Sequence, residues 1–360
     1  MKLFLVLLNC FLLTVGQVGG PLLARTYFLH GGKRRWLSAW ILTCGFPIML
    51  LPLAVSYYSL AAKSKTTQST GRFTLTRWLF ATSAVLGTLL GLDSYLYSFG
   101  TSYLPVSVSS LLGSTQLAFT AVFAFLIVKQ KFTPYTVNAV VLMTFGSAVL
   151  GFHMDGGVVP RGESVERYAL GFFMTVAAAA LHGFLMTALE YVHRKAGVPL
   201  TFDLVMQVQF VISMFAAVFC TVPMIINRDF QVICKFGIFS SQAMAKEAVE
   251  FDLGETKYYM TILLAAVALQ LMIIGSIGLV FSSSSLFSGL VTSFLVPTQQ
   301  VFAVIFLREG FDAEKGMALA MCLWGFASHL YGEHKAAATS DNKQPTPRNH
   351  GDQEDSPADV

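Results

Sequence analysis

Long apolar runs, separated by short basic or glycine- and proline-bearing stretches, recur along the whole chain. Each run has the length that crosses a bilayer, since about 20 helical residues span about 30 Å of hydrocarbon. The pattern predicts ten transmembrane helices at residues 3–28, 37–60, 74–103, 105–128, 134–152, 167–194, 201–226, 259–281, 284–307 and 313–331. Pro47 and Pro52 should bend or loosen the second helix. Gly87 and Gly91 give the third a face on which a neighbour can approach closely. The longest loop, 228–258, contains SSQAMAKEAVEFDLG, with serine caps, apolar residues at helical spacing and Gly254 as a stop, so it is expected to lie on the membrane surface as an interfacial helix. From 333 to 360 the chain is polar and proline-bearing, and is expected to be disordered.

The polar positions within these runs are few and organised. In the fourth helix Ser109, Gly113, Gln116 and Thr120 are spaced by four, three and four, which places them on one side. A hydroxyl or amide facing lipid is costly, so this stripe must face protein or a water-filled path. It reads as one wall of a substrate path.

Composition fixes the class. Hydrophobic residues make up 54% of the 360 and charged residues 12%, against roughly 25% charged in an ordinary soluble domain. The chain is therefore an all-α polytopic membrane protein. The formal charge of +4 comes with no basic patch interleaved with aromatics, which argues against nucleic acid as a partner. Cys10, Cys44, Cys220, Cys234 and Cys322 are scattered, without metal spacing or a disulfide frame, and read as small hydrophobes. The start, MKLFLVLLNCFLL, imitates a signal peptide, but the apolar run continues through PLLARTYFL, favouring an uncleaved first helix. Gly31-Gly32 lacks the lysine-serine/threonine pair of a phosphate loop, which argues against an ATP-driven pump. The even helix count puts both termini on one side, and the basic residues divide evenly between the two sides, so charge does not set the orientation.

One fixed offset lays FAFLIVKQKFTPYTVNAVVLMTFG over FAVIFLREGFDAEKGMALAMCLWG, matching Phe123 with Phe302, Phe132 with Phe311, Ala139 with Ala318 and Gly146 with Gly325. The same offset carries Ser109 to Ser288, Gly113 to Thr292 and Thr120 to Gln299. The expected organisation is a first five-helix repeat at 1–153, a loop at 154–166 and a second five-helix repeat at 167–332. An odd number of spans per repeat inserts the two with opposite orientation, the layout that forms a site at the midplane between them.

RTYFLHGGKRRWLSAW, SSLLGSTQLAFTAVFAFLIVKQKFTPYTVNAVVLMTFGSAVLG and CLWGFASHLYGE resemble the plant purine permease family, within the drug/metabolite transporter superfamily. The resemblance covers nearly the whole chain apart from the tail. It implies ten helices in inverted repeats, cytosolic termini, and proton-coupled uptake of purine bases and derivatives such as adenine and cytokinins. It implies residence in the plasma membrane or another plant endomembrane. The chain departs from the family pattern at Gln207 and Gln300, where members often carry glutamate, at Thr187 in place of a proline before Glu190, and at Leu269 in place of the tryptophan before Gln270.

The residue chemistry suits such a cargo. A purine is flat and edged with donors and acceptors, and a carboxamide both donates and accepts. Gln116, Gln209, Gln270, Gln299 and Gln300 are candidate substrate contacts, with helix-to-helix hydrogen bonding as the other reading of each. Ser109 and Thr120 line the same stripe. Tyr95, Tyr97 and Trp324 are candidates to stack on the ring, or else packing and interface aromatics. Coupling to protons needs an ionisable side chain within reach of the path. Asp93, deep in the third helix, is one candidate, or else makes a helix-to-helix hydrogen bond. Glu190 is the other, although Arg194 four residues on offers it a structural ion pair. His182 is either a proton shuttle or a core histidine; Asp203 reads as a helix-dipole partner, and Arg25 is expected to snorkel to the interface.

An enzyme would need a nucleophile–base pair or a histidine cluster, and the seven histidines are dispersed. A scaffold or receptor would need neither the duplicated stripe nor the intramembrane amides. The reading is a secondary transporter that uses no cofactor or metal, with a purine-like small molecule, protons and the lipid bilayer as partners. An exporter or facilitator of another small heterocyclic metabolite is the alternative.

Overall fold

A computed structural model of the chain describes residues 2–51, 53–55, 75–129, 134–152, 164–195, 202–226, 247–282, 291, 295, 299, 301–308, 310–311 and 313–341. Among the described residues all regular structure is helical, as an apolar solvent requires of a chain that must satisfy its own backbone. The helices are α1 (Lys2–Leu29), α2 (Arg35–Cys44), α3 (Arg77–Tyr103), α4 (Val106–Ser114), α5 (Gln116–Phe123), α6 (Pro134–Phe152), α7 (Val165–Lys195), α8 (Phe202–Ile226), α9 (Glu255–Ser282) and α10 (Ala313–Asp341). Among the described residues seven helical stretches are long and apolar enough to cross a membrane: Leu3–Leu29, Arg35–Val55, Arg77–Tyr103, Leu111–Val128, Val165–Lys195, Leu204–Ile226 and Glu255–Ser276. Most of the ninth expected span lies outside the described residues, with 301–307 helical.

Two predicted spans depart locally from regular α-helix. After α2 the backbone tightens into a 3-10 turn, Phe46–Met49, with Pro47 in its first positions, where the missing N–H costs nothing. The fourth span tightens at Thr115, which keeps helical dihedrals (φ −65°, ψ −16°) between α4 and α5, then widens into a π turn, Ala124–Val128, that ends at Lys129 with φ 54°. At the other end of the chain α10 runs past Gly332 to Asp341, into a stretch expected to be disordered. Its alanines and the absence of a proline before Pro345 let the helix propagate. Of the interfacial helix expected in the long loop, residues 247–250 are helical and the earlier part lies outside the described residues.

The helices associate in antiparallel pairs, α1 with α9, α3 with α7 and α6 with α10, and α3 also lies along α8. The expected close approach of α3 is met by α8: a Cβ on Gly87 would stand 2.5 Å from the Ile212 carbonyl oxygen, and one on Gly91 2.7 Å from Phe219 Cδ1. Arg25 does not snorkel. It is buried, and its Nη1 donates to the carbonyls of Thr101 at 2.8 Å and Ser102 at 3.2 Å, at the C-terminal end of α3. A cation there complements the helix dipole and satisfies carbonyls that the helix itself leaves open. Arg35 joins it, donating to Ser102 Oγ and to the Tyr103 hydroxyl, with its guanidinium 4.2 Å from the centre of the Phe99 ring.

Candidate functional site

Asp93 sits near the middle of α3, with only 6% of its surface exposed. Its Oδ2 lies 2.8 Å from Nδ1 of His182, near the middle of α7. The two candidates, read separately from the sequence, thus form one pair across the α3–α7 contact. Tyr97, one turn along α3, is within electrostatic reach of the same carboxylate, and Ser98 Oγ donates to Ser38 Oγ of α2 at 3.2 Å. The next residue of α7, Gly183, presses against α5. A Cβ there would lie 2.8 Å from the Thr120 nitrogen and 3.1 Å from the Gln116 carbonyl oxygen. One turn further, the Thr187 hydroxyl donates to the Gly183 carbonyl at 3.0 Å and lies 3.5 Å from that of Thr120. Helix α7 therefore touches the Asp93 carboxylate with one residue and the backbone of the polar stripe with the next.

Within the stripe, the hydroxyls are used locally. Ser109 is fully buried and donates to the Val106 carbonyl at 3.2 Å, while half-buried Thr120 donates to the Gln116 carbonyl at 2.8 Å. Such back-bonding neutralises a hydroxyl inside its own helix. At the tightened turn, both the amide N–H and the hydroxyl of Thr115 turn to the Leu112 carbonyl, at 3.1 and 2.6 Å. Gln116 follows directly, half-buried, and its carboxamide has no hydrogen-bond partner among the described residues. Gly113, one turn before it, has no described residue within 4 Å of where a Cβ would stand. In the second half Gln299 is buried; Ser288, Thr292 and Gln300 lie outside the described residues.

The remaining amides differ in kind. Gln209 donates through Nε2 to Ser213 Oγ at 3.4 Å, four residues on within α8, so this bond stays inside its own helix. Gln270 is 0% exposed, and neither its Nε2 nor its Oε1 finds a partner among the described residues. Gly45, at the end of α2, leaves the room that the Gln270 Cγ occupies. An unpaired buried amide costs about 1–3 kcal/mol per polar group, so this carboxamide stands out among the described residues. Gln207 Oε1 is likewise buried without a partner among the described residues. A small apolar hollow between α1, α2 and α9, lined by Leu23, Ala24, Ser38, Ile41, Ala265 and Leu269, reaches the residue before Gln270.

Tyr95 is stacked on Trp36, ring centres 3.8 Å apart and planes 19° from parallel, with Phe99 against its edge. Trp36, which the sequence reading passed over, is therefore part of the same aromatic wall. Trp324 stands apart, 68% exposed on α10. Glu190 is exposed and held by Arg194 Nη2 at 2.6 Å. Asp203 falls in the first turn of α8, as expected. Among the described residues no three His, Cys, Asp or Glu side chains gather as a metal site would require.

A second polar centre, missed in the sequence, closes one end of the bundle. Glu247, buried just ahead of α9, accepts from the Tyr27 hydroxyl at 2.8 Å and the Lys33 amide at 2.6 Å through Oε1, and pairs through Oε2 with Arg34 Nε at 3.0 Å. Tyr258 reaches the same carboxylate at 3.4 Å, and the Asp252 amide donates to the His30 carbonyl at 3.2 Å. HGGKRR, the stretch between α1 and α2, is thereby fastened to the start of α9.

Comparison with known proteins gives one answer. A family model described as purine nucleobase transmembrane transport matches residues 4–339. The chain is 42% identical over 332 residues to purine permease 3 of Arabidopsis thaliana, covering 92% of this chain and 91% of that one. It is 42% identical to purine permease 2 of the same plant, covering 93% and 94%, and 33% identical to its purine permease 21, covering 91% and 80%.

Proposed function

Because the chain belongs to the plant purine permease family, a family of membrane transporters and not of enzymes, we propose that it imports purine nucleobases and derivatives such as cytokinins by proton-coupled alternating access between two inverted five-helix repeats. The repeats are 1–153 and 167–332, carrying ten spans between them, and the plasma membrane is the setting in which import would act.

The pairing of the helices supports two-fold exchange. Swapping the halves exchanges the α1–α9 pair with the α7–α3 pair, and both are extensive antiparallel contacts. The same operation returns α6–α10 and α2–α8 to themselves, and both pairs are in contact. Asn138 Nδ2, beside Ala139, donates to Ser328 Oγ at 2.9 Å, while Gly146 meets the Ala318 carbonyl. Ala139 and Gly146 are the residues that the repeat matches with Ala318 and Gly325.

The observation that carries the reading is the carboxamide of Gln116, which has no hydrogen-bond partner among the described residues, directly after the tightened turn at Thr115 and one turn from Gly113, where no described residue stands within 4 Å of a Cβ. In transporters built of inverted repeats the cargo site lies near the midplane where the repeats meet. A carboxamide meets the alternating donor and acceptor edge of a purine in a bidentate manner, with Gln299 and Gln270 as buried companions and Tyr95, backed by Trp36, as the aromatic face. Asp93 is the better placed of the two coupling candidates, since Glu190 is tied to Arg194 on the surface.

Radiolabelled adenine should enter purine-uptake-deficient cells that express the chain, faster at acid than at alkaline external pH. Gln116→Ala should weaken uptake at unchanged surface abundance. Full uptake by that variant removes Gln116 from the site. A second reading, facilitated movement of another small heterocycle, is favoured by Gln207 and Gln300, where the family resemblance implies glutamate. Competition by adenine, zeatin, pyridoxine and hypoxanthine separates the two.

A further inference from the structure

We propose that Asp93 and His182 are a single proton-binding unit of the transport cycle, with the proton held by the imidazole against the carboxylate; this rests on the purine-transport reading above. The geometry carries it. The two side chains meet at 2.8 Å near the middle of two membrane-length helices. The ion pairs Lys33–Glu250, Arg34–Glu247 and Arg194–Glu190 all lie at helix ends or in connections. Helix α3 belongs to the first half of the chain and α7 to the second, so any movement of one half against the other acts on this contact.

The charge arithmetic explains how a proton would control that movement. With neutral imidazole, the pair carries the single negative charge of Asp93; with one proton bound, carboxylate and imidazolium sum to zero. Closing a net charge away from water inside a membrane is expensive. Proton occupancy therefore favours the states in which α3 and α7 seal the pair, and its loss favours those in which water reaches it. No bond to carbon is made or broken, and nothing is oxidised. Helix α7 transmits the state directly, because Gly183, next to His182, rests on the backbone of Gln116 and Thr120.

The groups around the pair leave it dominant. From α3 itself Tyr97 is nearby. From α8 the Cys220 thiol turns to the Gly91 carbonyl at 3.6 Å, and from α2 come Trp36, stacked on Tyr95, and Ser38. Arg25 and Arg35 are engaged at the C-terminal end of α3. On α7 Glu190 is two turns away and paired with Arg194, and His193 lies three turns on. Helix α4 brings no ionisable side chain.

The test uses the purified full chain in proteoliposomes with radiolabelled adenine, in two modes: uptake driven by an inward proton gradient, and adenine exchange at equal pH on both sides. The native chain should show gradient stimulation of about fivefold or more. His182→Gln keeps an N–H donor for Asp93 but cannot take a proton, and Asp93→Asn removes the charge. Both should lose the stimulation while exchange stays within about twofold of native, which also shows that they fold. Native-sized stimulation in either variant overturns the inference, because a structural hydrogen bond would survive His182→Gln. If a single variant loses exchange as well, the swapped pair Asp93→His with His182→Asp decides: stimulation returns, or the inference falls. Native adenine uptake indifferent to the gradient overturns the inference and leaves purine transport standing. No native uptake overturns both.

Discussion

Glu247→Ala should be the most damaging single substitution outside the membrane-spanning helices, and its cost can be worked from the contacts. The carboxylate accepts from the Tyr27 hydroxyl and the Lys33 amide and pairs with Arg34. Tyr27 is 2% exposed, so its hydroxyl cannot turn to water when the acceptor is removed. That orphaned donor costs about 1–3 kcal/mol, and the charge-assisted bond from Lys33 is worth about 1.5–3 kcal/mol more. Arg34 has 26% of its side chain exposed and can rehydrate, so its share is discounted heavily. The total is about 2.5–6 kcal/mol, which brackets the cost found when one partner of a buried pair is removed. Glu247→Gln, which keeps an acceptor for Tyr27 and Lys33, should cost about half as much. Equilibrium unfolding by SDS in mixed micelles measures the loss, and hydrogen exchange at the Lys33 amide reads the opening of the loop directly. A loss below about 1 kcal/mol with undiminished protection at Lys33 would refute the idea that Glu247 fastens the α1–α2 connection to α9.

Three further outcomes follow from the packing. Gln270→Leu should leave thermal stability unchanged or raise it by about 1 kcal/mol, since it removes two unpaired buried atoms, yet should raise the KM for adenine by about tenfold if the carboxamide serves the substrate. Gly91→Val should cost about 1–3 kcal/mol by forcing α3 from α8, where Phe219 Cδ1 and the Ala216 carbonyl stand 2.7 and 3.0 Å from a Cβ; a thermal shift in detergent measures it, and no shift would mean that the contact yields freely. Trp324→Ala should leave adenine uptake at the native rate, because its ring lies on the outer side of α10, and a loss of uptake at normal surface abundance would place that ring in the path.

Hydropathy and spacing along the chain sufficed for whatever depends on neighbours in sequence. The helical character, the loosening at Pro47 and the close face of Gly87 and Gly91 follow from local hydrogen bonding and the helical repeat. Family membership was legible in the same way, through motifs that stand in the linear sequence. Partnerships across the bundle were not. Asp93 and His182 are 89 residues apart and Tyr27 and Glu247 220 apart; Arg25 reaches α3 instead of the interface, and Tyr95 turns to Trp36. Lipid is as apolar as the helices it surrounds, so hydrophobicity does not choose which faces meet. That choice falls to close packing and polar bonds between distant segments, and it is there that the tertiary structure decided which of the candidate side chains stand together.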